Sequence, residues 1–240
     1  MKKEQHTVKL VAELQKAYDY FNEHLFKDEL PDCIMGLCNA NKRTLGYYHR
    51  SQYLTTEGAI KVDKISLNPS YFVSQGVKKV MGTLVHEMCH LWRERMCDKP
   101  SRGGYHDRKW GSKMKEVGLY PSNTGEEGGK ETGNQMTHYI IVDGPFDKAF
   151  KELKEEHNIT LPYIHKTQLG FLNGVNNPML KENPELLEAI ERENPFGSIS
   201  KNRSNRVKYI CPVCNSKVWG KKELYIVCGA CKVTMDPDDN

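Results

Sequence analysis

The sequence predicts an α+β domain followed by a small module at the C-terminal end that needs metal to fold. Amphipathic stretches at helical spacing are interspersed with short runs of alternating apolar residues, the mark of mixed helices and strands. The chain has 240 residues, enough for one substantial core and an appendage. Four of the eight cysteines fall into two C-x-x-C pairs near the C-terminus. The expected organisation is a main domain over residues 1–172, a linker with a short helix over 173–205, and the module over 206–240.

The first helix is expected over residues 8–25, where Leu10, Val11, Leu14, Ala17, Tyr18, Phe21 and Leu25 form one stripe. Leu30-Pro31-Asp32 ends it. Two apolar runs, residues 33–37 and 44–48, flank a polar turn and read as an antiparallel pair. A third strand is expected over 59–67, with a slip of register near Asp63 and Asn68-Pro69 as its stop. Cys33 and Cys38 read as small buried residues. A helix beginning near Ser74 or Gln75 and running to about Met96 is apolar on most faces, with Arg93, Glu94 and Arg95 as its solvated end. A Pro- and Gly-rich loop opens into a helix over 107–117. Residues 121–135 have almost no apolar content and read as a mobile loop. A strand over 137–142 and a helix carrying Phe146, Ala149, Phe150 and Leu153 follow. His138 reads as a strand histidine and not as a ligand.

The long central helix contains His86-Glu87-Met88-Cys89-His90, an H-E-x-x-H pattern. Positions four apart on a helix lie about 40° out of line, so His86 and His90 can face one ion. Glu87 is offset by one step. That puts its carboxylate beside the ion, outside its ligand set, where a general base belongs. The pattern alone also fits two surface histidines. A core helix, however, must satisfy such polar groups, and a bound cation would satisfy them together. Cys89 points away and reads as packing. A catalytic zinc wants three protein ligands and an open position. His106, at the Gly-rich turn, is the preferred third ligand, with Glu94 and Glu116 as carboxylate alternatives.

Residues 20–26 with Leu30-Pro31, then Ile65-Ser66-Leu67-Asn68-Pro69, then residues 83–90, then Gly104-Tyr105-His106-Asp107-Arg108-Lys109-Trp110 together resemble the SprT-like family, which includes the Spartan proteases. The resemblance covers roughly residues 8–120, and a C-terminal ribbon is found on many members. It implies a minimal zincin-like fold, with helices packed on a small, mainly antiparallel sheet. It also implies one catalytic zinc held by His86, His90 and His106, with Glu87 as the base.

Cys211-Pro212-Val213-Cys214 and Cys228-Gly229-Ala230-Cys231 can form two knuckles around one structural Zn²⁺, a zinc ribbon with residues 218–219 and 224–227 as its hairpin strands. So short a segment lacks a core of its own and needs the metal to fold. C-x-x-C pairs of this kind point to a reducing compartment. Around them stand Arg203, Arg206, Lys208, Lys217, Lys221 and Lys222, interleaved with Tyr209, Trp219 and Tyr225, a composition suited to phosphate contact and base stacking. The formal net charge is only +4, so this local cluster, and not the total, carries the nucleic-acid expectation.

The expected protein is thus a zinc endopeptidase acting on nucleic-acid-associated or DNA-crosslinked proteins. Its partners are a protein substrate and single-stranded or damaged DNA. The basic start has no apolar run after it and no membrane span is evident, so the expected location is cytoplasmic, at the nucleoid if the source is bacterial. The alternative is a nucleic-acid-binding zinc protein that uses the zincin domain as a scaffold and cuts no peptide.

Overall fold

The computed structural model describes residues 5–38, 44–99, 101–163, 165, 185, 188, 206–221 and 223–238. Apart from 185 and 188, the expected linker over residues 173–205 lies outside the described residues. The chain divides into two units, Met1–Glu193 and Asn194–Asn240.

In the first unit, helix α1 (His6–Phe26) buries Leu14, Ala17, Tyr18, Phe21 and Leu25, the stripe that the spacing predicts. It stops at Lys27, whose left-handed φ of 57° turns the chain. Buried Asn22 ties down the exit, accepting from the Leu30 N–H at 3.1 Å and donating to the Leu30 carbonyl at 3.2 Å.

Strands β1 (Ile34–Leu37), β2 (Gly46–Leu54) and β3 (Lys61–Leu67) form a sheet of order β1-β3-β2. The expected direct pairing of the first two strands is not found. β3 lies between them, parallel to β1 and antiparallel to β2. Burial explains this order. Ile65, Ser66 and Leu67 on β3 are all buried, while the outer half of β2 is mostly exposed, so the strand with most to bury takes the centre. The slip near Asp63 is real and belongs to the partner strand: β2 bulges between His49 and Tyr53, where Ser51 has φ 50°. Asp63 holds the bulge, accepting from the Ser51 amide at 2.6 Å and the Tyr48 hydroxyl at 3.0 Å.

Asn68 then caps a short 3-10 turn, Pro69–Tyr71, which leads into α2 (Phe72–Arg95). This helix starts slightly earlier than the sequence suggests and is kinked at Gly76, whose φ of 72° and ψ of 162° suit glycine. Beyond the kink Val80, Met81, Leu84, Val85, Met88, Cys89 and Leu91 are buried, so α2 is the expected core helix. Its last turn is not a solvated end. Arg93 is 5% exposed and paired with Asp107, and Arg95 donates to the buried Asp63 at 2.7 Å.

Helix α3 (Arg108–Glu116), β4 (Leu119–Ser122), β5 (Thr137–Ile140) and α4 (Pro145–His157) complete the unit, with β4 and β5 antiparallel. Gly118 turns the chain between α3 and β4 at φ 91°, and a Cβ there would sit 2.7 Å from the Phe146 backbone nitrogen. The β4–β5 connection, expected to be mobile, is cross-braced. The Ser122 hydroxyl donates to the Glu126 carbonyl, the Lys130 amide donates to the Asn123 side chain, and Gly133 bridges to His106.

In the second unit β6 (Arg206–Ile210) is flanked by β7 (Lys217–Lys221) and β8 (Asp236–Asp238), both antiparallel to it. The expected strand over residues 224–227 is not formed, except for a single bridge between Val227 and Thr234. Tyr209 accounts for the difference. Its ring is buried, and its hydroxyl donates to the Lys221 carbonyl and accepts from the Leu224 N–H, which folds the segment after β7 back toward β6.

Candidate metal centre

Helix α2 presents His86 and His90 one turn apart, and the turn before α3 brings up His106. One ring nitrogen of each lies within 4.8 Å of the others. The centroids of the rings are 5.2 Å apart for His86 and His90, 5.6 Å for His86 and His106, and 4.6 Å for His90 and His106. Trp110 of α3, 1% exposed, floors the cluster at 4.5 to 5.3 Å from all three rings. Burial and the neighbouring rings hold His86 well below the usual histidine range. Burial and His106 push His90 down to about 3, and burial lowers His106. All three are therefore neutral at pH 7 with a lone pair free. Three clustered, neutral nitrogen donors are the set that zinc takes in a catalytic site. The carboxylate alternatives are occupied elsewhere: Glu94 accepts from Ser101 and Arg50, and Glu116 pairs with Lys113.

His106 reaches the helix by a specific brace. Asp107, next in sequence, caps α3 by accepting from the Trp110 amide at 2.9 Å. The same carboxylate takes a bidentate pair from Arg93 of α2, Nε to Oδ1 at 3.1 Å and Nη2 to Oδ2 at 2.6 Å. One residue thus sets the start of α3 and locks it onto the ligand helix. The His106 Nδ1 lies 3.0 Å from the Gly133 carbonyl, which leaves Nε2 for an ion.

Glu87 is buried, and burial pushes its carboxyl up to about 8 against the opposing pull of the Tyr48 backbone N–H. Tyr48 belongs to β2, whose inner edge pairs with β3. An amide that points at Glu87 therefore lies on the outer edge, so that edge faces the centre. Gly46 on the same strand keeps the approach open, since a Cβ there would lie 3.1 Å from Glu87 Oε1.

His138 of β5, set aside from the sequence, has its Nδ1 3.2 Å from Nδ1 of His86. Spacing could not have found it. It lies 52 residues away on a strand, and only folding brings it to the ligand.

The second cluster is Cys211, Cys214, Cys228 and Cys231, with their sulfurs within 4.8 Å of one another and no disulfide among them. Both knuckles are made alike. The Cys211 and Cys228 amides donate to the carbonyls of Ser216 and Val233, and their own carbonyls accept from Asn215 and Lys232. Asn215 and Lys232 are both left-handed, at φ 57° and 59°. The Ser216 side chain, 3.1 Å from the Cys214 sulfur, and the Ser216 backbone pull the Cys214 thiol down to about 6, toward the thiolate that metals bind.

Of the basic and aromatic residues expected at a nucleic-acid interface, Arg203 and Lys222 lie outside the described residues, and Arg206 is described only in its backbone, paired opposite Lys221. Lys208 and Trp219 are cross-strand partners, so they share one face of the ribbon sheet with Lys217 and Lys221. Trp219 is 61% exposed and Tyr225 81%. Tyr209 is the exception, since its ring is buried and belongs to the ribbon core.

The profile of the SprT-like family matches residues 14–128. An uncharacterized protein in the mucB 3′ region of Salmonella typhimurium is 47% identical over 53 residues, which is 22% of this chain and 70% of that protein. No solved structure matches the chain. No helix among the described residues is long and apolar enough to cross a membrane.

Proposed function

The chain belongs to the SprT-like family, and on that premise we propose that it is a zinc-dependent endopeptidase whose C-terminal ribbon brings it to DNA. The observation that carries the peptidase reading is the convergence of three neutral imidazoles beside the buried, offset Glu87. When bound, zinc supplies Lewis acidity toward water and the scissile carbonyl. His86, His90 and His106 would hold it. Glu87, one residue beyond His86 and outside the ligand set, takes the proton of the attacking water as the carboxylate and delivers it to the leaving amine nitrogen. β2 is an edge strand of its sheet, and an extended peptide can lie along its outer edge as a further strand, with its scissile bond toward Glu87.

The four-cysteine cluster supports a second, structural zinc. Lys208, Lys217, Trp219 and Lys221 on one face of the ribbon, with Tyr225 exposed nearby, suit a single strand of DNA. Lysines would meet phosphates and Trp219 would stack on a base. β8 places Asp236 and Asp238 on the opposite edge, so the strand would run along the β7 side. The substrates that fit this arrangement are proteins bound or crosslinked to DNA.

Incubating the zinc-loaded full chain with a DNA-binding protein, with and without single-stranded DNA, tests this directly. Cleavage is expected, faster with DNA present, and lost in Glu87→Gln at unchanged zinc content. Cleavage by Glu87→Gln at the wild-type rate would refute the peptidase reading. DNA binding with no cleavage under any condition would favour the scaffold alternative.

A further inference from the structure

Two of the three histidines at the centre have their Nδ1 atoms engaged. His106 faces the Gly133 carbonyl, the usual arrangement for a metal-binding histidine, whose second nitrogen is fixed by a backbone or carboxylate oxygen. His86 faces another imidazole, Nδ1 to Nδ1 at 3.2 Å. We propose that His138 is a positioning residue for the zinc site, a neutral hydrogen-bond acceptor that fixes the tautomer and ring plane of His86. The inference rests on the reading of His86, His90 and His106 as a zinc site.

Proton accounting sets the direction of the bond. If His86 gives Nε2 to the ion, its Nδ1 carries the proton and must donate. His138 must then accept at Nδ1 and carry its own proton on Nε2. A carboxylate in the same place would put an unpaired charge in the core, whereas a neutral ring orients the ligand without that cost.

The helix is built to admit the ring. Gly82, one turn before His86 on α2, leaves the space that His138 fills, and a Cβ at Gly82 would lie 3.0 Å from His138 Nε2. Glycine inside a helix is disfavoured relative to alanine because it loses more backbone freedom on folding. At this position it gives the ring room to seat against His86. β5, pinned to β4 with His138 opposite Pro121, carries the ring to that place.

The test is zinc affinity in the full chain, measured by competition with a chelator of known strength, with the ribbon site as an internal control. The wild type is expected to hold two zinc ions. His138→Leu is expected to weaken one site by about 10- to 100-fold and leave the other unchanged. His138→Asn, whose side-chain amide can place an acceptor near the Nδ1 position, is expected to recover most of the loss. Gly82→Ala gives an independent route if the leucine variant folds poorly. It should fold at least as stably in the metal-free state, yet bind zinc more weakly at the same site. Unchanged affinity in both His138→Leu and Gly82→Ala, or an asparagine variant as weak as the leucine one, would overturn the role of His138 alone. A wild type that binds only the ribbon zinc would overturn the zinc site itself, and this inference with it.

Discussion

His86 and His90 stand on a helix that is packed into a core of some thirty buried apolar residues, from Leu14 of α1 to Leu161, none of which is one of the three histidines. The four cysteines are in the opposite position. The ribbon core consists of Tyr209, Cys211, Cys228 and Met235, so half of its buried residues are candidate ligands. In the first unit the fold holds the ligands, and in the second the ligands hold the fold. A three-donor set leaves a coordination position for chemistry, and a four-thiolate set fills the tetrahedron of a structural site.

The largest expected effect follows from the ribbon. Cys228→Ser should abolish its fold, since a structural zinc contributes roughly 10–16 kcal/mol of apparent binding energy that is also folding energy. Amide dispersion from β6 to β8 should collapse in NMR spectra while signals from α1 to α4 persist. If both units lost structure together, the contrast would fail. Glu87→Gln comes next. It should lower peptidase turnover by about 10²- to 10⁴-fold, the usual reach of general acid–base catalysis, with zinc content and melting temperature retained.

Asp63→Asn probes the other half of the contrast, the metal-independent scaffold. Asp63 is 2% exposed and joins β3 to the bulge of β2 and to Arg95 of α2. Breaking such a buried pair costs about 3–5 kcal/mol. The expected result is a large drop in the melting temperature of chelated protein. Burial alone would raise the Asp63 carboxyl, but hydrogen bonds from Arg95, the Ser51 amide and Tyr48 outweigh it and hold the group below the usual range. A depressed folded value contributes stability above the ordinary pKa of about 3.9, and this is lost as pH falls through the folded value. The gap between wild type and Asp63→Asn should therefore be full at pH 7 and shrink below about pH 4. The smallest effect concerns DNA. Trp219→Ala should weaken binding of a short single strand by about 1–3 kcal/mol without disturbing the ribbon, as a titration with labelled oligonucleotide would show.

Much of this arrangement is legible in the sequence because its signals are local. The stripe of α1, the H-E-x-x-H on an apolar helix and the two C-x-x-C knuckles each sit within one or two turns of chain. What is not legible is what burial decides between distant segments. The central place of β3 depends on competition among three strands for the same core, which pairwise reading of neighbours misses. Arg93 and Arg95 resemble a solvated helix end because three charges stand in a row, and nothing in that row announces Asp107 or Asp63 as partners. His106 was reachable because zinc chemistry demands a third ligand. His138 was not, because no rule of spacing demands a particular acceptor behind a ligand. The composition of residues 121–135 hid the side-chain and backbone bonds that make the loop a brace for His106.

Counting zinc decides whether this chain carries two independent metal sites of opposite design. Full-length wild type, His106→Ala and Cys228→Ser would be analysed for bound zinc by elemental analysis after removal of loosely held metal. Two ions per chain are expected for wild type and one for each variant, with the first unit still folded in Cys228→Ser. Two ions retained in His106→Ala, or a single ion in wild type, would contradict two independent sites.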